Sequence, residues 1–380
     1  MQQRIETFIL APDSFKESMP AEQVCMIMKN AIHKVLPDAQ CILNPMADGG
    51  EGTIDALVMA KSGLKIACEV QGPFADQRVM THFGLIDQGQ TAVIEMAKAN
   101  GIHLIPPHLR NPLFTNTVGT GQLIVAALEF GVKKIIIGLG GSVTNDGGAG
   151  MAHALGVKFI NQYHEAFEPT GGNLNQIDSI DVSQLDPRLT KTDIVIASDV
   201  NNPLCGPLGA SYIFGPQKGA TPEMVQVLDL NLSHFAGVIE QQLLVDLCHR
   251  SGAGAAGGLG FGLMAFTGAD IRSGAELIIE ETQLSEKIAQ ADYVFTGEGK
   301  IDAQTQFGKT PFAVAQVAYR HNKPVFAFAG RVGEGVEPLY EQGFHHIFSI
   351  NPLDQILSES LKNAVQNLDL TVQNIVRQYI

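Results

Sequence analysis

The sequence predicts an α/β protein of two domains: a discontinuous Rossmann-like parallel-sheet domain over 1–66 plus 288–380, and a glycine-rich α/β domain inserted at 67–287. Three observations predict it. The length of 380 residues exceeds one ordinary compact domain. Both ends of the chain repeat a strand, polar turn, helix rhythm, which implies parallel strands joined by right-handed crossovers. The middle is richer in glycine and short strands and poorer in long helices.

At the N-terminus the apolar stretch Thr7–Leu10 runs into the turn Asp13-Ser14-Phe15-Lys16. A helix over 20–36 follows, with Val24, Met28, Ala31, Ile32 and Val35 on its apolar face. A strand near 40–44 leads to a second turn, Asp48-Gly49-Gly50-Glu51-Gly52, and another helix. In the last third, Tyr293–Phe295 reads as a strand, 297–309 as a loop, 311–321 as a helix, and 324–328 and 346–349 as strands. Leu357, Leu361, Ala364, Leu368, Val372 and Ile375 place one apolar stripe on a closing helix. In such sheets ligands sit beyond the carboxyl ends of the strands, where all these polar turns fall.

Composition narrows the function classes. Hydrophobic residues at 45%, with 17% charged, describe a globular chain rather than a disordered one. A formal charge of -14 without a long basic run offers nothing to a nucleic-acid backbone or an anionic membrane surface. Five scattered cysteines without a C-x-x-C pair signal neither a disulfide framework nor a zinc site, and no secretion-type leader is evident. A cytoplasmic protein with no membrane or nucleic-acid partner is the expectation; a monomer and a homodimer both fit. Ser251–Ala269 has the length of a membrane span, but seven of its nineteen residues are glycine, so it reads as a loop plus a tightly packed helix.

The clearest motif is Gly138–Gly150, GLGGSVTNDGGAG, after the apolar run Ile135-Ile136-Ile137. Glycines between a strand and a helix N-terminus let backbone N–H groups close on an anion. It is no dinucleotide fingerprint, because Val143 occupies the last glycine position, and no Walker loop, because no lysine follows. The alternative is a tight turn with Asp146 as a helix cap. A second glycine-bearing stretch is Thr296–Pro311, TGEGKIDAQTQFGKTP, whose Glu298, Lys300, Asp302 and Lys309 mix carboxylates with ammonium groups suited to a metal ion and phosphate oxygens. Thr310 then Pro311 read as an N-cap and first-turn proline. A third acidic turn, Ser198-Asp199-Val200-Asn201, follows the strand 194–197. A carboxylate at a strand tip can accept a hydroxyl proton or equally cap a helix; it is the number of such turns that favours phosphoryl transfer to an alcohol. Lys218 in FGPQKGAT reads as an exposed lysine.

The polar blocks APDSFKES (11–18), PMADGGEGT (45–53), GLGGSVTNDGGAGM (138–151), ASDVNNPLCGP (197–207), FGPQKGAT (214–221) and TGEGKIDAQTQFGKTP (296–311), with three more in the same order, cover nearly the whole length. On these the sequence resembles the type-1 bacterial glycerate kinases. The resemblance implies ATP-dependent phosphorylation of D-glycerate to 2-phosphoglycerate, and two α/β domains with the active site in a cleft between them. Residue roles are then assigned on physical grounds. Asp199 or Asp48 is expected to act as base or orienter toward the attacking hydroxyl, with Lys16 and Ser14 at the substrate carboxylate or the moving phosphoryl group. Asp13, Ser14, Gly49, Gly50 and Asn201 are candidates for the substrate. Gly140, Gly141, Ser142, Asn145, Gly297, Gly299 and Lys309 are candidates for the nucleotide phosphates. Glu51, Asp146, Glu298 or Asp302 would hold Mg²⁺ together with phosphate oxygens. A nicotinamide-dependent hydroxy-acid oxidoreductase and a non-catalytic small-acid sensor are the competing readings.

Overall fold

A computed structural model describes residues 5–352 and 355–380. The chain forms two compact units: one of 1–48, 55–62 and 275–380, and one of 49–54 and 63–274. The boundaries expected at 66/67 and 287/288 would cut the strand Leu64–Gln71 and the helix Leu284–Gln290. The divisions at 48/49 and 62/63 fall at turns, and those at 54/55 and 274/275 fall near the starts of the helices Thr53–Ala60 and Gly274–Glu281.

The first unit holds a five-stranded, all-parallel sheet. Its order across the sheet is His346–Ser349, Val325–Val332, Tyr293–Ile301, Thr7–Leu10, Gln40–Leu43. One face is covered by the helices Ala21–His33 and Leu357–Tyr379, which enclose Phe8, Phe295, Phe328, Met28 and Leu368. Phe8 and Phe295 meet edge to face with centroids 5.4 Å apart. Ile9 and Val294 alternate onto the opposite face and are equally buried; the helices Leu284–Gln290 and Thr310–Arg320 pack there. Val24, Met28, Ala31 and Ile32 are buried on the first helix as their spacing predicts.

Two local expectations in this unit need correction. The stretch expected as a loop from 297 continues as strand to Ile301, because it pairs with its neighbour as far as Ile301↔Val332. Gly297 allows that pairing: a Cβ there would lie 2.2 Å from the Phe328 carbonyl oxygen. The cap of the following helix is Lys309, in extended conformation, with Thr310 already inside the first turn.

The second unit holds a six-stranded mixed sheet in the order Asp270–Arg272, Asp193–Ala197, Lys134–Gly138, Thr91–Glu95, Arg78–Ile86, Leu64–Gln71. The first four strands are parallel and the last two antiparallel. The connection from Gln71 to Arg78 is too short for a crossover, so a hairpin is forced. Ile135, Ile136 and Ile137 are all fully buried, as befits a central parallel strand covered on both faces. A small antiparallel sheet of Ala166–Phe167, Lys158–Ile160 and Ser179–Asp181 sits in the same unit. Ala255–Thr267 forms the tightly packed helical segment expected in the glycine-rich stretch, interrupted near its start by Ala256, Gly257 and Gly258 in left-handed conformation, and no helix among the described residues is long and apolar enough to cross a membrane.

Candidate functional site

The first unit contains a cavity of about 740 Å³ at the carboxyl ends of its strands. The turn after the strand Thr7–Leu10 supplies Asp13, Ser14 and Lys16. Its shape comes from Phe15 and Met19, both buried, which exchange backbone hydrogen bonds of 2.8 and 2.9 Å. With those two side chains stapled into the core, the polar residues between them are left to line the cavity. Asp48, Glu298, Gly299, Lys300, Lys309 and Thr310 line it too. Seven of the residues expected from the sequence therefore converge on one hollow: Asp13, Ser14, Lys16, Asp48, Glu298, Gly299 and Lys309.

The electrostatics of this hollow are unusual. Burial, reinforced by the charge of Asp48, pushes the Asp13 carboxyl up to about 6; the Thr310 hydroxyl, the Ser14 N–H and Lys16 oppose that rise. The Ser14 N–H donates to Asp13 Oδ1 at 2.6 Å. Burial likewise pushes Glu298 up to about 7, against the Lys309 ammonium and the Thr305 hydroxyl. Lys309 Nζ lies 3.4 Å from Glu298 Oε2, and Thr305 Oγ1 donates to Oε1 at 3.1 Å. Carboxylates held out of water beside lysines can exchange protons near neutral pH.

The second unit holds the other group of expected residues, and here glycine serves backbone packing. A Cβ on Gly138 would lie 2.2 Å from the Gly49 carbonyl oxygen, one on Gly140 2.7 Å from Gly50 Cα, and one on Gly49 2.6 Å from the Ala197 carbonyl oxygen. Three strand-end turns are thus pressed together backbone to backbone. Of this group Gly141, Glu51, Asp199 and Asn201 are exposed. Asp199 Oδ1 accepts from Gly274 N at 3.2 Å, and Asn201 Oδ1 from the Ser251 hydroxyl at 2.9 Å.

Several assignments are overturned by burial. Asp146 is fully buried, and its carboxylate accepts from Thr117 N and Oγ1 at 2.8 and 2.7 Å, Gly150 N at 3.1 Å and Gly148 N at 3.2 Å. It organises the loop and the next helix, and has no face left for Mg²⁺. Asp302 caps the turn Ala303–Gln306 through Gln304 N at 2.9 Å and pairs with Lys300 Nζ at 2.6 Å, so it too is spent on structure. Gly297 is enclosed in the ladder described above. Ser142 and Asn145 are buried, the first accepting from Lys218 Nζ at 2.8 Å and the second donating to Ser211 Oγ at 2.9 Å.

Lys218, expected at the surface, is 1% exposed. Its ammonium also donates to the Thr144 carbonyl at 2.6 Å, and burial pulls its pKa down to about 7 although Asp146 opposes this. It sits on the turn Pro216–Lys218, which Gly219 ends at φ +93° against the Arg110 carbonyl, and so faces inward. Lys218→Met leaves two buried acceptors without a donor and is expected to cost about 1–3 kcal/mol; urea unfolding measures it, and an unchanged midpoint would show that those bonds carry no stability.

Cavity residues not expected from the sequence are Arg331, Ser349, Asn351, Gln355 and Ser360. Arg331 lies near the end of the strand Val325–Val332, paired with Lys300, and carried no turn signal in the sequence.

Comparison with known proteins identifies the family. The profile described as "Glycerate kinase family" matches residues 8–380. The chain is 48% identical to a glycerate kinase of Haemophilus influenzae over 370 residues, covering 97% of this chain and 98% of that protein. It is 45% identical to the glycerate 2-kinase of Escherichia coli K12, covering 97% and 96%. A crystal structure of a protein assigned as glycerate kinase 2 from Salmonella typhimurium LT2 superposes with a TM-score of 0.88 at 44% identity, over 98% of each chain. The chain belongs to the glycerate kinase family.

Proposed function

We propose that this protein phosphorylates D-glycerate with ATP, giving 2-phosphoglycerate. The observation that carries the reading is the single cavity in which Asp13, Asp48 and Glu298 stand among Lys16, Lys300 and Lys309. Phosphoryl transfer to an alcohol needs a carboxylate to take the hydroxyl proton and cations to balance the phosphates, and both are present. Asp48 adds its charge to the burial that raises Asp13, and the two carboxylates line the same cavity as candidates for the base. Lys16 and Lys309 neutralise the moving phosphoryl group and Gly299 admits it closely, while Ser14 orients the acid. The hydroxy-acid oxidoreductase loses its support, since the relatives named above are kinases.

Mg²⁺ fits this chain only as a shared ion. No group of three or more His, Cys, Asp or Glu is placed to hold a metal ion among the described residues, and Mg²⁺ commonly takes one or two carboxylates plus phosphate oxygens and water. The charge of Asp13 adds to the rise at Glu298, and both carboxylates line the cavity, where a divalent cation would offset that repulsion. They would hold it, and when bound it would offset charge on the phosphates. Glu51 is a weaker candidate, being exposed.

The first unit's parallel sheet is read as Rossmann-like, with the second unit a separate inserted domain. Asp199, Asn201, Gly49, Gly50, Gly140 and Gly141 are proposed to contribute to turnover from that second domain, on the strength of the resemblance.

The test is incubation of the pure protein with ATP, Mg²⁺ and D-glycerate, with ADP and phosphorylated acid measured together. Tight binding of glycerate without ADP release would favour the sensor instead. The pH dependence should carry the cavity's signature. Raised folded pKa values mean that Asp13 and Glu298 contribute stability present at low pH and lost as pH rises through about 6 and about 7. Activity runs the other way, because the ionised forms are needed: kcat/KM should rise through the same window. Glu298→Gln is expected to remove the upper limb and lower activity, yet raise Tm at pH 8. An acid limb unchanged in that variant would exclude Glu298.

A further inference from the structure

The cavity is larger and less polar than a short hydroxy acid and a phosphate chain require, and its chemistry changes along the sheet edge. The lining residues after Thr7–Leu10, at the end of Tyr293–Ile301 and at Lys309 are mostly charged. Beyond the tips of Val325–Val332 and His346–Ser349 the lining becomes Ile350, Leu357, Leu361 and Ala364, with Gln355 and Ser360 among them. The strand order puts three inter-strand spacings between Thr7–Leu10 and His346–Ser349, or about 14 Å at the usual spacing. A nucleoside triphosphate can span that distance, and Arg331 stands between the two ends.

The apolar end is rigidly built. Asn351 Nδ2 donates to the Gly330 carbonyl at 2.7 Å, its Oδ1 accepts from Asn367 at 2.7 Å, and Ser349 Oγ donates to the Asn351 carbonyl at 2.8 Å. The strand Val325–Val332, the turn after His346–Ser349 and the helix Leu357–Tyr379 are thereby tied into one frame. Ile350 and Ala364 are 5% and 4% exposed and form the floor, whereas Leu357 is 70% exposed at the edge. An apolar floor with an unpacked leucine beside it, and an amide and a hydroxyl at hand, has the character of a site for a flat heteroaromatic ring. Nothing in glycerate would use it.

We infer that this end of the cavity receives the base of the nucleoside triphosphate, so that the nucleotide lies along the carboxyl edge of the first unit's sheet with its phosphates toward Lys300, Lys309 and Lys16. The inference rests on the kinase reading and deepens it. It also moves the phosphates away from the second unit's glycine loop, whose Ser142 and Asn145 are buried.

The experiment uses Leu361→Asp, with Leu357→Ser as a companion whose exposed position removes the risk of misfolding. In each variant, KM for ATP and the calorimetric affinity for ADP are expected to weaken about tenfold. KM for glycerate, and inhibition by inorganic tripolyphosphate, which has no base, should match the parent protein. The proposal is overturned if ATP and ADP are bound normally by both variants, or if tripolyphosphate inhibition weakens in parallel with ADP binding. The parent protein separates the two readings: absence of glycerate-dependent ADP release removes the kinase, while ADP calorimetry on parent and variants decides the base subsite regardless.

Discussion

Asp48→Asn lowers kcat for glycerate phosphorylation by about two orders of magnitude or more, and Asp13→Asn does the same. Asparagine keeps the shape of the side chain and removes its ability to take a proton. The two carboxylates line one cavity, and the charge of Asp48 helps hold the Asp13 proton up to a pKa of about 6. Removing Asp48 should therefore also lower the apparent pKa of what remains, a change in the pH profile that misfolding would not imitate. Asp199→Asn is the informative comparison, because Asp199 is exposed in the second unit, just past the strand Asp193–Ala197. Steady-state kinetics across pH on the three variants decide the matter. Near-normal rates for both Asp13→Asn and Asp48→Asn, with a crippled Asp199→Asn, would transfer the base to Asp199.

A large loss of stability is expected from Gly138→Ala. The added Cβ would lie 2.2 Å from the Gly49 carbonyl oxygen, and that neighbour cannot yield, since Gly49 is itself held at φ +87° against the Ala197 carbonyl. Overpacking of this kind should cost about 3 kcal/mol, or abolish folding of the unit. Gly237→Ala is the control: it lies within the helix Pro222–Leu243, and an added methyl group there would meet nothing within 4 Å. That substitution should stabilise by about 0.5–1 kcal/mol, because alanine is the better helix former. Thermal unfolding of both proteins tests the pair. Equal melting temperatures would mean that the turns are looser than their contacts indicate.

Gly138 and Gly140 show how much of the site could be read from the chain. GLGG after three isoleucines announces a place where the backbone must approach something closely, and that inference needs only the absence of a Cβ. What is approached is a matter of tertiary contact. For these two glycines it is another turn of the protein. Asp146 and Lys218 teach the same lesson about charge. Each sits among turn residues that suggest a surface, and each is buried because the surrounding loop supplies its hydrogen bonds.

The order of strands, turns and helices was determined by the sequence alone, since apolar spacing and glycine or proline placement act over a few residues and need no distant partner. So was the list of strand-end carboxylates and lysines from which the cavity draws. Only the tertiary structure decided which of them share a hollow, which are consumed in holding loops, and that Asn351, Gln355 and the start of the last helix complete it. The reason is physical: burial and the charge of a neighbour fix the proton affinity and availability of a side chain, and both depend on residues hundreds of positions away along the chain, as Glu298 does on Asp13.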